Sequence, residues 1–172
     1  MENILGLLRI RVIRGVNLAG RDLGGSDPYV VVTSGDQVLR IRPVKNNNNP
    51  EWNEELTLSI TDLDVPIKLE VFDKDTFTKD DRLGDADIDI KPYIEILRMG
   101  LENLPNGCVV KRVQPNRTNC LADESHMVWN NGEITQGMHL RLRNMKCGEV
   151  EIQIKWINVP GSKGLQIDSS SS

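Results

Sequence analysis

Apolar and polar residues alternate along most of the chain in short runs. In Leu8-Arg9-Ile10-Arg11-Val12 every second residue is apolar, which puts three aliphatic side chains on one face of a strand. Tyr29–Thr33 is rich in β-branched residues and is bounded by Pro28 and by the turn signal Ser34-Gly35-Asp36. The two-residue period recurs at Leu56, Leu58 and Ile60, at Ile67, Leu69 and Val71, and at Ala86, Ile88 and Ile90. Near the C-terminus Leu140 and Leu142 alternate with arginines, and Val150, Ile152, Ile154 and Trp156 alternate with charged or polar residues. Short strands separated by Gly, Pro, Asn and Asp turns predict an antiparallel β-sandwich.

One segment departs from this period. Pro92–Met99 opens with a proline suited to a first helical turn and stops before Gly100, so a short helix is predicted there. The stretch 101–131 is less regular, with weak strands around Val109–Val113 and Met127–Trp129. The second ends in Asn130-Asn131-Gly132, a hairpin-turn sequence.

A chain of 172 residues can bury a core without disulfides or a structural metal. The expected organisation is one domain over residues 1–160, with an insertion over about 91–137 and a flexible tail over 161–172. Aromatic residues are only 4% of the chain, so aliphatic side chains must fill the core. The formal net charge of -4 argues against a nucleic-acid binder, which needs a basic surface, and against membrane attachment by bulk charge. The start of the chain shows neither a signal peptide nor a myristoylation pattern, and no run approaches the about 18 apolar residues of a membrane-spanning helix. Cys108, Cys120 and Cys147 are odd in number and lack CxxC spacing, so they read as reduced thiols.

The chemistry is concentrated in aspartates. Asp22 follows the first strand and Asp27 precedes the second; Asp73 and Asp75 end a strand two positions apart; Asp81 returns across the same loop before Gly84. If both loops lie at one end of a sandwich, five carboxylates share that end. Carboxylates a few ångströms apart repel by about 4 kcal/mol per pair at an effective dielectric of 20, and a cation relieves that repulsion. Calcium takes roughly 6–8 oxygen ligands and tolerates loose loop geometry, whereas zinc prefers the His and Cys ligands these loops lack. Two ions could be held. Asp73-Lys74-Asp75 begins like an EF-hand, but the sixth and twelfth positions are Thr78 and Gly84, where that loop needs Gly and Glu.

Four segments in order, Ser26-Asp27-Pro28-Tyr29-Val30, Asn49-Pro50-Glu51-Trp52-Asn53-Glu54, Val71-Phe72-Asp73-Lys74-Asp75 and Asp81-Arg82-Leu83-Gly84-Asp85, resemble the C2-domain pattern. The resemblance implies that Asp22, Asp27, Asp73, Asp75 and Asp81 ligate calcium and that Thr78 assists; Arg21 and Lys74, beside the first and third of these, belong to the same predicted metal site. It further implies an eight-stranded antiparallel sandwich of type II topology, mainly all-β, with a short helix and a β insertion. In that topology the C-terminal strand, ending at Trp156, fills the vacant edge. Val109–Arg117, Asn119–Ser125 and the ending Cys147–Trp156 with Pro160–Gly164 are similar to the plant C2-domain abscisic-acid-related proteins, over about residues 5–165. That narrower resemblance implies an adaptor that carries abscisic-acid receptors of the PYR/PYL/RCAR group to the plasma membrane when calcium rises. It also implies stimulation of a YchF-type nucleotide hydrolase, and residence at the cytoplasmic face of the plasma membrane, in the cytoplasm and in the nucleus.

Charge arithmetic supports a switch. The two loops hold six Asp (Asp80 included) against Arg21, Lys74, Lys79 and Arg82, a net charge of roughly -2 that becomes about +2 with two calcium ions. Each positive charge near an anionic leaflet contributes about 1 kcal/mol. Phe77 and Leu23 at the loop tips are candidates for insertion into lipid. The stretch matching the lysine-rich strand of many C2 domains carries only Arg40, Arg42 and Lys45 beside Asp36, Val38 and Pro43, a weak phosphoinositide site at best. No P-loop, HExxH or GxSxG occurs, so binding rather than catalysis is expected. The rival reading is a calcium-independent scaffold for protein partners.

Overall fold

The computed structural model describes residues 3–18, 26–145 and 148–168. These residues form ten strands and one helix: β1 (Gly6–Val16), β2 (Pro28–Ser34), β3 (Gln37–Arg40), β4 (Glu51–Ile60), β5 (Ile67–Asp73), β6 (Asp81–Asp87), α1 (Lys91–Leu97), β7 (Cys108–Val113), β8 (Ser125–Asn130), β9 (Glu133–Arg141) and β10 (Glu149–Ile157). One sheet runs β4-β1-β10-β9-β8-β7 and the other β3-β2-β5-β6. Every strand pair is antiparallel.

The alternation read from the sequence decides which residues enter the core. Leu8, Ile10 and Val12 of β1 are fully buried, and they meet Leu58, Val30, Leu69, Val71, Ile152 and Ile154 in one hydrophobic cluster. Burying a side chain of this size stabilises by roughly 1.5–3 kcal/mol. The predicted eight-stranded sandwich with a β insertion is what forms: β7 and β8 are the two inserted strands, and they extend the larger sheet beyond β9.

β10 lies beside β1, with Ile10 opposite Ile154 and Leu8 opposite Trp156. The C-terminal strand takes the expected place, yet it does not form an edge. β9 pairs with its far side, and the inserted β8 and β7 continue the sheet beyond β9. The β8–β9 hairpin turns through Asn131 and Gly132, at φ of 51° and 82°, the pair of positive angles a two-residue type I′ turn requires.

The helix starts one residue earlier than the proline and stops short of the expected Met99. It buries Tyr93, Ile94 and Ile96. The hydroxyl of Tyr93 donates to the Ile134 carbonyl at 2.6 Å and accepts the Trp156 N–H at 2.9 Å. This pins α1 to β9 and β10 at the end opposite the aspartates.

Residues 161–168, expected as part of a flexible tail, are fastened to the body as far as Asp168. Lys163 N–H donates to the Ile4 carbonyl at 3.0 Å, Asp168 N–H donates to the Arg98 carbonyl at 2.7 Å, and Leu165 packs against the core. Leu165 supplies the apolar contact that a solvated tail would lack. Cys108 and Cys120 are free thiols; Cys147 lies outside the described residues.

Candidate metal centre

Three strand ends meet at one pole of the smaller sheet. β2 and β5 pair so that Pro28 faces Asp73, and β5 and β6 pair so that Asp73 faces Asp81. Adjacent strands lie about 4.8 Å apart, so Asp27, Asp73 and Asp81 stand in a row. The Asp27 N–H donates to Asp73 Oδ1 at 2.8 Å, and the Lys74 N–H donates to the Asp27 carbonyl at 3.0 Å. These bonds lock the start of β2 to the end of β5, with Asp27 and Asp73 both half-buried.

The run Asn46-Asn47-Asn48-Asn49 ties the neighbouring loops together. Asn46 N–H donates to Asp27 Oδ1 at 2.7 Å. Asn48 Oδ1 accepts both the N–H and the hydroxyl of buried Ser26 at 3.1 Å. The Asn48 carbonyl accepts Leu18 N–H at 2.7 Å, and Asn49 Oδ1 accepts Asn17 N–H at 2.8 Å. Asparagine suits this place because its short amide can bond the backbone and because it tolerates positive φ; Asn46 has φ of 51°. The signal that could have revealed the role is the turn chemistry of four consecutive asparagines.

Between β5 and β6 the loop folds back on itself. Asp75 Oδ1 accepts the N–H groups of Phe77 and Thr78 at 2.9 and 3.3 Å, and Oδ2 accepts the Thr78 hydroxyl at 2.7 Å. The Phe77 N–H, then the Thr78 hydroxyl and N–H, hold the Asp75 carboxyl below the usual carboxylate range. Asp80 accepts Asp75 N–H at 2.9 Å through Oδ1 and the Tyr29 hydroxyl at 2.5 Å through Oδ2, and Lys74 Nζ is 3.8 Å away. Its carboxyl is held low by the Asp75 N–H first and by the Tyr29 hydroxyl second. Tyr29 is pushed up to about 12 by burial, then by the bond to and charge of Asp80. Sequence reasoning counted Asp80 as charge alone and gave Tyr29 no part.

The structure brings Asp27, Asp73 and Asp81 to one end, while Asp75 and Thr78 bind each other within their loop. Among the described residues no three acidic, His or Cys side chains already converge as a cation cage. Arg21, Asp22 and Leu23 lie outside the described residues. The donors at this end are hard carboxylate, carbonyl and hydroxyl oxygens, the set that suits calcium. Phe77 stands at the loop tip with 93% of its surface exposed. Of the predicted basic residues, Arg40 and Lys45 are exposed, and Arg42 pairs with Glu54 at 3.2 Å.

The C2 domain family model matches residues 6–104. Protein C2-DOMAIN ABA-RELATED 4 of Arabidopsis thaliana is 57% identical over 165 residues, which cover 96% of this chain and 93% of the relative. GTPase activating protein 1 of Oryza sativa subsp. japonica is 53% identical over 165 residues, covering 96% and 99%. Among solved structures, the calcium-bound pair of C2 domains of Extended-Synaptotagmin 2 aligns with a TM-score of 0.62 at 24% identity over 91% of this chain. The chain spans less than half of that two-domain chain, 47%. A single C2 domain of plant Extended Synaptotagmin 1 aligns with a TM-score of 0.61 at 20% identity, covering 91% of this chain and 97% of that one. At these identities the structural likeness is one of fold.

Proposed function

The chain belongs to the C2 domain family and, within it, to the C2-domain ABA-related proteins, and from that membership we propose that it is a calcium-dependent phospholipid-binding adaptor. The observation that carries the reading is the shared pole of the sandwich: Asp27, Asp73 and Asp81 stand on adjacent strand ends, and the loop joining two of them holds Phe77 out into solvent. The metal ligands are Asp22, Asp27, Asp73, Asp75 and Asp81, with Thr78 assisting and Arg21 and Lys74 in the same loops.

Bound calcium supplies positive charge at this pole and coordination positions open to lipid phosphate. The chain's own part is to hold the carboxylates together against their repulsion, which the Asp27–Asp73 bond and the asparagine run do. Phe77 and Leu23 add apolar contact with the membrane; Arg40, Arg42 and Lys45 form a second, weaker anionic-lipid surface. The protein acts by binding and not as an enzyme. Its cargo is the abscisic-acid receptor of the PYR/PYL/RCAR group, delivered to the cytoplasmic face of the plasma membrane from the cytoplasm and nucleus. The name of the Oryza sativa relative favours a second role, stimulation of a nucleotide hydrolase of the YchF type.

Co-sedimentation with phosphatidylserine vesicles across a calcium titration, with chelator as control, tests the reading. Binding that requires calcium and disappears in Asp22→Ala/Asp27→Ala supports it. Equal binding at every calcium level sinks it in favour of a calcium-independent scaffold.

A further inference from the structure

We propose that Tyr29 and Asp80 form a latch that presets the backbone of Asp75 before calcium arrives, so that both are positioning residues of the calcium loop. The inference rests on the calcium reading above. Asp80 Oδ2 takes the Tyr29 hydroxyl at 2.5 Å, and Oδ1 takes the Asp75 N–H at 2.9 Å. The carboxylate therefore spans from β2, inside the smaller sheet, to the first turn of the loop that leaves β5. Each of its oxygens has a partner from the chain, which distinguishes it from its neighbour Asp81, a residue assigned to the metal.

The anchor is rigid. Tyr29 is 7% exposed, and its ring stacks on Phe72 with centroids 5.5 Å apart and planes at 20°. The two residues face each other across the β2–β5 pair, so the hydroxyl is fixed by the sheet. From Asp75 the order passes to the tip, because the Asp75 carboxylate in turn holds the Phe77 and Thr78 N–H groups. One line of hydrogen bonds runs from the sheet through Asp80 and Asp75 to the exposed phenylalanine. Ordering a loop in advance removes that cost from the binding step, so affinity rises without a new metal contact.

Asp80 could instead act only through its charge, attracting a cation at short range. Tyr29→Phe separates the two, because it removes the hydroxyl while keeping the ring stack and the carboxylate. Calcium binding in the absence of lipid, measured by titration calorimetry, is expected to weaken about three- to tenfold in Tyr29→Phe and at least as much in Asp80→Ala. In excess chelator, hydrogen exchange at the Asp75 amide is expected to speed in both variants while the β2 amide of Val32 keeps its protection. That second reading needs no metal and would not move alone if the variants merely loosened the whole fold. Unchanged calcium affinity and unchanged Asp75 exchange in Tyr29→Phe overturn the latch. Weakened binding in Asp80→Ala alone reassigns Asp80 as a charge. Wild-type protein that binds no calcium, with the Asp75 exchange behaving as predicted, overturns the calcium reading and reduces the latch to a structural bond.

Discussion

Arg143 and Asp85 are joined twice, through side chains and through backbones. The guanidinium donates to Asp85 Oδ1 from Nη2 at 2.8 Å and from Nε at 3.0 Å. The backbones exchange N–H to carbonyl bonds at 3.2 and 2.7 Å. Arg143 follows β9 and Asp85 lies in β6, the outer strand of the smaller sheet, so this bridge stitches the two sheets together. Arg82 and Asn144 take the other oxygen, Oδ2, at 2.7 and 2.9 Å.

Asp85→Asn is expected to lower stability by about 2–4 kcal/mol, since it strips two arginines of their common anion at a site where the carboxylate is 3% exposed. Burial alone would raise the Asp85 carboxyl, but the Asn144 bond and the charges of Arg82 and Arg143 outweigh it and hold the group low. A depressed carboxyl stabilises the fold above the unfolded value of about 3.9 and loses that contribution as pH falls through the folded value. Urea unfolding at pH 5 and pH 3 should show wild type losing more stability than Asp85→Asn over that interval.

Asn48→Ala removes the acceptor of the Ser26 N–H and the longer of the two acceptors of its hydroxyl, which keeps the Leu18 carbonyl at 2.8 Å. A loss of about 1–3 kcal/mol is expected. Asn48→Asp keeps an acceptor oxygen and should recover most of it in thermal melts run in chelator. Equal melting of Asn48→Ala and wild type would show that the asparagine clamp is dispensable.

Phe77→Ala should leave folding stability within about 0.5 kcal/mol, because the ring makes almost no contact with the protein. Its affinity for phosphatidylserine vesicles at saturating calcium should fall about tenfold or more, the equivalent of the roughly 1.5–3 kcal/mol that burying a phenylalanine yields. Vesicle titration checks it; unchanged affinity would place the ring outside the bilayer.

Tyr93 is pushed up to about 12, mainly by burial, against a lowering bond from the Trp156 N–H. A folded value above the unfolded one of about 10 means that its stabilisation is complete below pH 10 and is lost as pH rises through 12. In Tyr29→Phe, where Tyr93 is the remaining tyrosine, the phenolate absorbance should stay absent at pH 10.5 and appear together with unfolding. Ionisation near pH 10 in the folded protein would contradict the buried geometry.

Local pattern was enough for most strands. The alternation at Leu8, Ile10 and Val12, and again at Ile152 and Ile154, named the buried faces, because the period of a strand is independent of what it packs against. The Asn130-Asn131-Gly132 turn was legible for the same local reason. Asp27, Asp73 and Asp81 could be assigned to one end of the sandwich from their positions at strand termini. Asp85 could not be read: it continues the Asp81–Gly84 motif as if solvated, and its partner Arg143 lies 58 residues away. Asp80 shows the same limit, since Tyr29 is 51 residues distant.

The sequence by itself determined the mainly β class, the short helix, the family and the row of aspartates, because these depend on local period, turn chemistry and motif spacing. Only the tertiary structure decided that Asp85 is buried among two arginines, that the asparagine run bonds Asn17, Leu18, Ser26 and Asp27, and that Asp80 is bound from both sides. It also decided that residues 161–168 lie against the sandwich. The physical reason is common to all four. A hydrogen bond or packed contact between distant segments depends on sheet register and loop closure, and neither leaves a periodic mark on the residues that make it.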